Sequence, residues 1–220
     1  MKSKYSLVGL LVLSLFSFRK DDSYITVEYH AFLHSEYRSS SSSVIGAGHA
    51  YCIFTNNTSQ YQQIGYYTVA PGENVSVGLW SSSAISESSS SSSSNIVSHS
   101  GVFYDYESVF YTSKETSTDE VYVSYQLDAS RLGAVSDFIK SKNDIYNLTT
   151  YNCATFACDL WNHVSGSNYY TGWFRAPRQL RDDIIRDYPD YQTGTGSLTA
   201  KTEFAINDTN IKTLVWGRII

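Results

Sequence analysis

Leu148-Thr-Thr-Tyr-Asn-Cys-Ala-Thr-Phe-Ala-Cys-Asp-Leu-Trp-Asn-His-Val164 reads as a loop that turns into an amphipathic helix. Phe156, Ala157, Leu160, Trp161 and Val164 recur at helical spacing and form one apolar stripe. Asn152 is a favourable N-cap, which puts Cys153 in the first turn. A thiol there faces the positive end of the helix dipole and unpaired backbone N–H groups, and both favour the thiolate. The stretch therefore offers a seat for a nucleophilic cysteine. The competing reading is a small core residue, since free cysteines are often buried.

A thiolate nucleophile needs a base, and histidine is the usual one. Gly46-Ala-Gly-His-Ala-Tyr-Cys-Ile-Phe54 reads as a strand with His49 near its start. A histidine on a core strand and a cysteine opening a helix laid against that sheet make a papain-type pair. Here His49 precedes Cys153, the reverse of papain's order.

That order resembles the circularly permuted papain-like enzymes, relatives of the NlpC-type cell-wall peptidases and of the lecithin retinol acyltransferase group. The matching residues are Gly48-His49-Ala50 and Asn152-Cys153-Ala154-Thr155-Phe156. A nearer similarity is to secreted, mainly bacterial proteins of poorly known function. They share Gly-His-Ala, then a Pro-Gly-Glu turn with a Val-x-Val-Gly-x-Trp strand, then Asn-Cys-x-x-Phe-Ala-x-x-x-Trp-Asn. Here those are Pro71-Gly72-Glu73, Val75 to Trp80, and Asn152 to Asn162. The resemblance covers about residues 44 to 190. It implies an α+β fold in which an antiparallel β-sheet has the nucleophile helix packed against it. It also implies catalytic roles for Cys153 and His49, an amide-bond substrate such as a cell-wall peptide, and no cofactor. Acyl transfer or ester hydrolysis on lipid is the nearest variant. The clan often carries a third polar residue on the strand after the base. In the strand expected over Ile64–Val69, Tyr66 stands at that place. It could orient the imidazole but could not stabilise an imidazolium as a carboxylate does. Asn152, Tyr151 and Trp80 are the candidate substrate-binding residues.

The 220 residues suffice for one domain. The net charge of −5 leaves no basic surplus for phosphates, so nucleic acid is not an expected partner. The 19 tyrosines, with many Val, Ile and Thr runs, favour a β-rich fold. Three cysteines do not make a disulfide framework. Cys52 points away from His49 along a strand and Cys158 is turned away from Cys153 on the helix. A Cys52–Cys158 bridge would join surfaces not expected to meet, so both read as packing residues.

Residues 1–20 look like a signal peptide, with Lys2 and Lys4 ahead of a short apolar run from Leu7 to Phe18. The run is too short to span a bilayer comfortably. An N-terminal strand or membrane-proximal anchor is the alternative. Secretion, no membrane span after processing and a monomer are the expectations, with residues 23–220 as a single domain. Strands are expected over Ser23–His34, around His49, and over Ile64–Val69, Asn74–Trp80, Gly101–Tyr111 and Glu120–Leu127. His30 and His34 read as surface or rim residues. In a strand they stand about 13 Å apart, too far to share a metal, and no zinc motif occurs. The serine tract at 81–94 reads as a surface loop. Asp128 is an expected N-cap for a helix over Ala129–Lys142, and another helix starts after Pro177. Its charges, Arg178, Arg181, Asp182, Asp183 and Arg186, read as a solvated face with local pairs. From Phe204 the tail reads as one or two strands added at a sheet edge. Asn56, Asn57, Asn74, Asn147 and Asn207 each stand in Asn-x-Ser/Thr.

Two other classes stay open. A glycan- or protein-binding module is favoured by Trp80, Trp173, Tyr169 and Tyr170 and by the lack of a clear third catalytic residue. A structural secreted protein would use the serine tract as a spacer.

Overall fold

A computed structural model describes residues 23–33, 48–81, 100–113, 119–142, 145–168 and 176–208. The leader at 1–20, His34, nearly all of the serine tract, Tyr169, Tyr170, Trp173 and the tail beyond 208 lie outside the described residues.

The chain is α+β. The strands are β1 (Tyr24–Leu33), β2 (Gly48–Asn56), β3 (Gln62–Ile64), β4 (Tyr67–Val69), β5 (Asn74–Trp80), β6 (Gly101–Tyr104), β7 (Val121–Asp128), β8 (Gln192–Thr193) and β9 (Ala205–Ile206). The helices are α1 (Tyr106–Ser113), α2 (Leu132–Lys140), α3 (Cys153–Ser165) and α4 (Pro177–Asp187). Seven strands form an antiparallel sheet in the order β8-β7-β1-β2-β5-β6-β9. β3 and β4 make a separate hairpin.

Alternation along the strands sorts the side chains into two layers. Ile25, Val27, Tyr29 and Ala31 of β1, Ala50, Cys52 and Phe54 of β2, and Val75, Val77 and Leu79 of β5 join the core with α2, α3 and α4. The stripe predicted for α3 packs there, with Trp161 stacked on Tyr29 at 5.2 Å between centroids. Each large side chain so buried stabilises the fold by about 1.5–3 kcal/mol. α3 ends as its sequence directs, at Gly166 in the left-handed conformation. Among the described residues no helix is long and apolar enough to cross a membrane.

The opposite face carries Glu28, His30 and Phe32 of β1, His49, Tyr51 and Ile53 of β2, and Ser76, Gly78 and Trp80 of β5, as the strand register requires. It is covered too. The segment after β8 crosses it, with Leu198 against Phe32, Tyr51 and Ile53, and Phe204 packs beside Phe103 and Tyr106. This cover removes His30 from water entirely and corrects the reading of that residue as a surface histidine.

Three further expectations are corrected. Ile64–Val69 is not one strand but a hairpin turning at Gly65, whose φ of 60 and closeness to the Tyr104 hydroxyl leave no room for a Cβ. Gly101–Tyr111 is strand only as far as Tyr104; Asp105 turns the chain and α1 follows. The surfaces of Cys52 and Cys158 do meet, in the core between β2 and α3, where no disulfide joins them. The edge strand expected in the tail is β9, paired to β6. Four of the five Asn-x-Ser/Thr asparagines spend their amide nitrogens inside the fold. Asn56 donates to Gln60 and Val69, Asn57 to Thr26 and Thr55, Asn74 to Ser197, and Asn207 to Ile139. A glycan on any of the four would forfeit those bonds.

Candidate active site

The loop before α3 is fixed by its own polar groups. Asn147 and Tyr151 exchange backbone hydrogen bonds, and the Asn147 side-chain oxygen accepts from Thr149 and Thr150. Asn152 then caps the helix. Its Oδ1 accepts from Thr155 N–H at 3.1 Å and its Nδ2 donates to the Leu148 carbonyl. Cys153 follows as the first residue of α3, 7% exposed.

His49 is the second residue of β2 and is 3% exposed. Its ring hydrogen-bonds Cys153 on one side and Glu107 on the other. Nε2 to Glu107 Oε1 is 3.0 Å, which leaves Nδ1 as the ring nitrogen for the thiol. Burial disfavours the imidazolium, but the Cys153 thiolate and then the Glu107 carboxylate outweigh it and push the His49 pKa up to about 9. The imidazolium form of His49 is thus favoured beside Cys153 and Glu107.

Glu107 lies in the first turn of α1 and is fully buried. Two more donors fix it: Trp80 Nε1 reaches Oε1 at 2.7 Å and Ser76 Oγ reaches Oε2 at 2.6 Å. The Trp80 ring also lies 3.9 Å from the His49 ring, centroid to centroid. Gly78 makes room. A Cβ there would stand 1.8 Å from Glu107 Oε1 and 2.9 Å from His49 Nε2.

The structure therefore brings Cys153 and His49 together and puts Glu107, not Tyr66, against the imidazole. Tyr66 sits at the β3–β4 turn, with its N–H on the Tyr104 hydroxyl and its ring facing Lys140 Nζ. Asn152 is a buried helix cap. Trp80 is 6% exposed and orients Glu107 and His49. Tyr151 is half-buried at the base of the loop, facing Lys142 Nζ. Glu107 escapes a sequence reading that runs a strand through Tyr111. The available signal is Asp105, a residue type that tolerates left-handed backbone, with an acid two residues on, where a helix N-terminus favours one.

A second buried ionisable group lies further along the same face. His30 Nδ1 is 2.8 Å from Glu120 Oε1 and its Nε2 is 3.2 Å from Glu28 Oε2. Tyr51 donates to Glu120 at 2.6 Å, and Ser197 donates to Glu28 through both N–H and Oγ. Rings of Tyr122, His30, Tyr51, His49 and Trp80 follow one another across β7, β1, β2 and β5 at 3.9–5.9 Å between centroids. Burial opposes the His30 cation, but its hydrogen bonds to the Glu120 and Glu28 carboxylates raise its pKa. Burial likewise opposes the Glu28 anion, and hydrogen bonds from His30 and Ser197 lower its pKa.

Both histidines titrate above their ordinary value of 6.5, so their contribution to stability is complete below that pH and is lost as pH rises through the folded value. In the wild type a proton that Cys153 yields to His49 cancels in this count, so the window is read in Cys153→Ala, where Glu107 is the remaining partner. The urea midpoint of Cys153→Ala is expected to fall as pH rises above 6.5, and the fall to shrink when His49→Gln is added. A flat midpoint in Cys153→Ala would contradict the coupling of His49 to Glu107.

Among the described residues no group of three or more His, Cys, Asp or Glu side chains is arranged to hold a metal ion. Compared with known proteins, the chain matches no family model, no curated protein and no solved structure.

Proposed function

We propose that this chain is a cysteine hydrolase of permuted papain-like (NlpC-type) order acting on an amide bond. The observation that carries the reading is His49 held between the Cys153 thiol and the Glu107 carboxylate. Support for the permuted order comes from the sheet, in which the base on β2 precedes the nucleophile on α3. Cys153 attacks the carbonyl carbon as thiolate. The His49 imidazolium then gives its proton to the leaving amine, and a water deprotonated by His49 releases the acyl group from sulfur. Glu107 keeps the ring in place and stabilises its charged form, as the acid of a hydrolytic triad does. The N–H of Cys153 at the helix start is a ready donor to the oxyanion. A peptide substrate, a cell-wall peptide among the candidates, and secretion through residues 1–20 belong to the same proposal.

The test is turnover of short peptides and muropeptides, with lipid esters as the competing class, by wild type, Cys153→Ala and His49→Ala. Either substitution is expected to lower kcat by about 10³-fold or more. Full activity of Cys153→Ala on any substrate the wild type cleaves would contradict the assignment. Ester or acyl-transfer products without amide cleavage would move the substrate class to lipids.

A further inference from the structure

The backbone that delivers Glu107 to His49 is held by a part-buried ion pair outside the triad. Asp105 sits at φ 60, in the left-handed region where Asp and Asn are enriched among non-glycine residues. Its N–H continues the β5–β6 ladder to the Ser76 carbonyl at 2.9 Å. The answering Ser76 N–H does not find the Asp105 carbonyl; it donates to the side-chain Oδ1 at 3.1 Å. The carboxylate thus stands in for a ladder carbonyl while the chain leaves the sheet and starts α1. Its other oxygen, Oδ2, accepts from Lys201 Nζ at 2.9 Å, and the same ammonium donates to the Asn74 carbonyl at 2.6 Å. Asp105 is 1% exposed, and this cation, with hydrogen bonds from Ser76 and Tyr67, offsets part of the cost of burying the charge. Two residues later the same Ser76 donates its hydroxyl to Glu107. Ser76 is therefore gripped twice, through its backbone by Asp105 and through its side chain by Glu107.

We propose that Asp105, held by Lys201, is the positioning residue for Glu107: it ends β6 and sets the start of α1 so that the carboxylate meets His49. The inference rests on the Cys153–His49–Glu107 reading of the site. Neither Asp105 nor Lys201 touches the reacting atoms.

The test is the His49 titration, followed by NMR of histidine-labelled protein, with urea midpoints measured alongside. Glycine adopts φ 60 without strain, so Asp105→Gly removes the carboxylate grip and adds no backbone cost there. Asp105→Asn keeps an acceptor for Ser76 and tolerates the same φ. Wild-type His49 is expected to titrate at about 9, and Asp105→Asn within about half a unit of it. Asp105→Gly and Lys201→Met are expected to lower it by about one unit or more. A merely structural pair would lower the urea midpoint and leave the His49 value where it is, which would overturn the proposal. Should Asp105→Gly not fold, Lys201→Met and Lys201→Arg decide: loss in Met with recovery in Arg supports positioning, and no change in either overturns it. The dyad is judged separately. A His49 titration unmoved by Cys153→Ala would sink the dyad reading, while Glu107→Gln would still report whether the Asp105 grip acts through Glu107.

Discussion

Replacing Gly78 with alanine is expected to remove most of the site's chemistry with one methyl group. The new Cβ would lie 1.8 Å from Glu107 Oε1 and 3.0 Å from Glu107 Cδ. The nearest clash is with the end of a side chain, so the cheapest relief is for the Glu107 carboxylate to swing away. That strands three buried donors at once: Trp80 Nε1, Ser76 Oγ and His49 Nε2. Each buried donor left without an acceptor costs about 1–3 kcal/mol, so a loss of roughly 3 kcal/mol or more in urea denaturation is expected. The Cys153 thiol should then alkylate with the pH dependence of a free cysteine. Gly133→Ala is the control, since it lies within α2 with nothing inside 4 Å of the added Cβ. It should stabilise slightly, by about 0.5–1 kcal/mol. Wild-type stability and labelling in Gly78→Ala would contradict the packing of Glu107 over β5.

His30→Leu is expected to be the most destabilising substitution away from the dyad. It leaves Glu28 and Glu120 on a covered sheet face without the cation that both contact. Breaking a buried pair by removing one partner costs about 3–5 kcal/mol. The stranded carboxylates would resist ionisation and take up protons on acidification. In the wild type the lowered Glu28 pKa works the other way: its contribution is present above about 4.5 and is lost as pH falls through the folded value. The deficit of His30→Leu against wild type should therefore shrink as pH is lowered from 7 towards 4. A uniform deficit below about 1 kcal/mol would mean that the cluster is not charged in the folded protein. Adding Glu120→Gln to His30→Leu should cost less than the sum of the two single changes, because they share one network.

The Cys153 half of the site is legible because it is local. The stripe from Phe156 to Val164, Asn152 ahead of it and Gly166 after it specify α3 within a single window, and the position of Cys153 follows. The alternation around His49 likewise specifies β2. The third residue is not legible in this way, because it depends on a backbone event. Period-two reading carries a strand through Gly101–Tyr111, and only the left-handed turn at Asp105 sends Glu107 back over Gly78. That turn is fixed by Ser76 and Lys201, 29 and 96 residues distant in sequence, and no local window contains them. The buried state of His30 is hidden for the same reason. Alternation correctly separates it from the helix-packed face, but the segment around Ser197 and Leu198 that covers the other face begins 167 residues later. Cys52 and Cys158 are adjacent because β2 lies directly beneath α3, a tertiary fact that spacing along either element does not contain.

The central claim is that His49, held by Glu107, activates Cys153. The measurement that tests it most directly is the pH dependence of Cys153 alkylation by iodoacetamide, quantified by peptide mass spectrometry, in wild type, His49→Ala and Glu107→Gln. Wild type is expected to label rapidly below pH 7. His49→Ala should label only as pH nears the free-thiol value of about 8.5, with Glu107→Gln in between. Cys52 and Cys158, both fully buried, serve as internal controls and should stay unlabelled in the folded protein. Identical profiles in all three proteins, each rising only near 8.5, would show that Cys153 has no working base and would contradict the account.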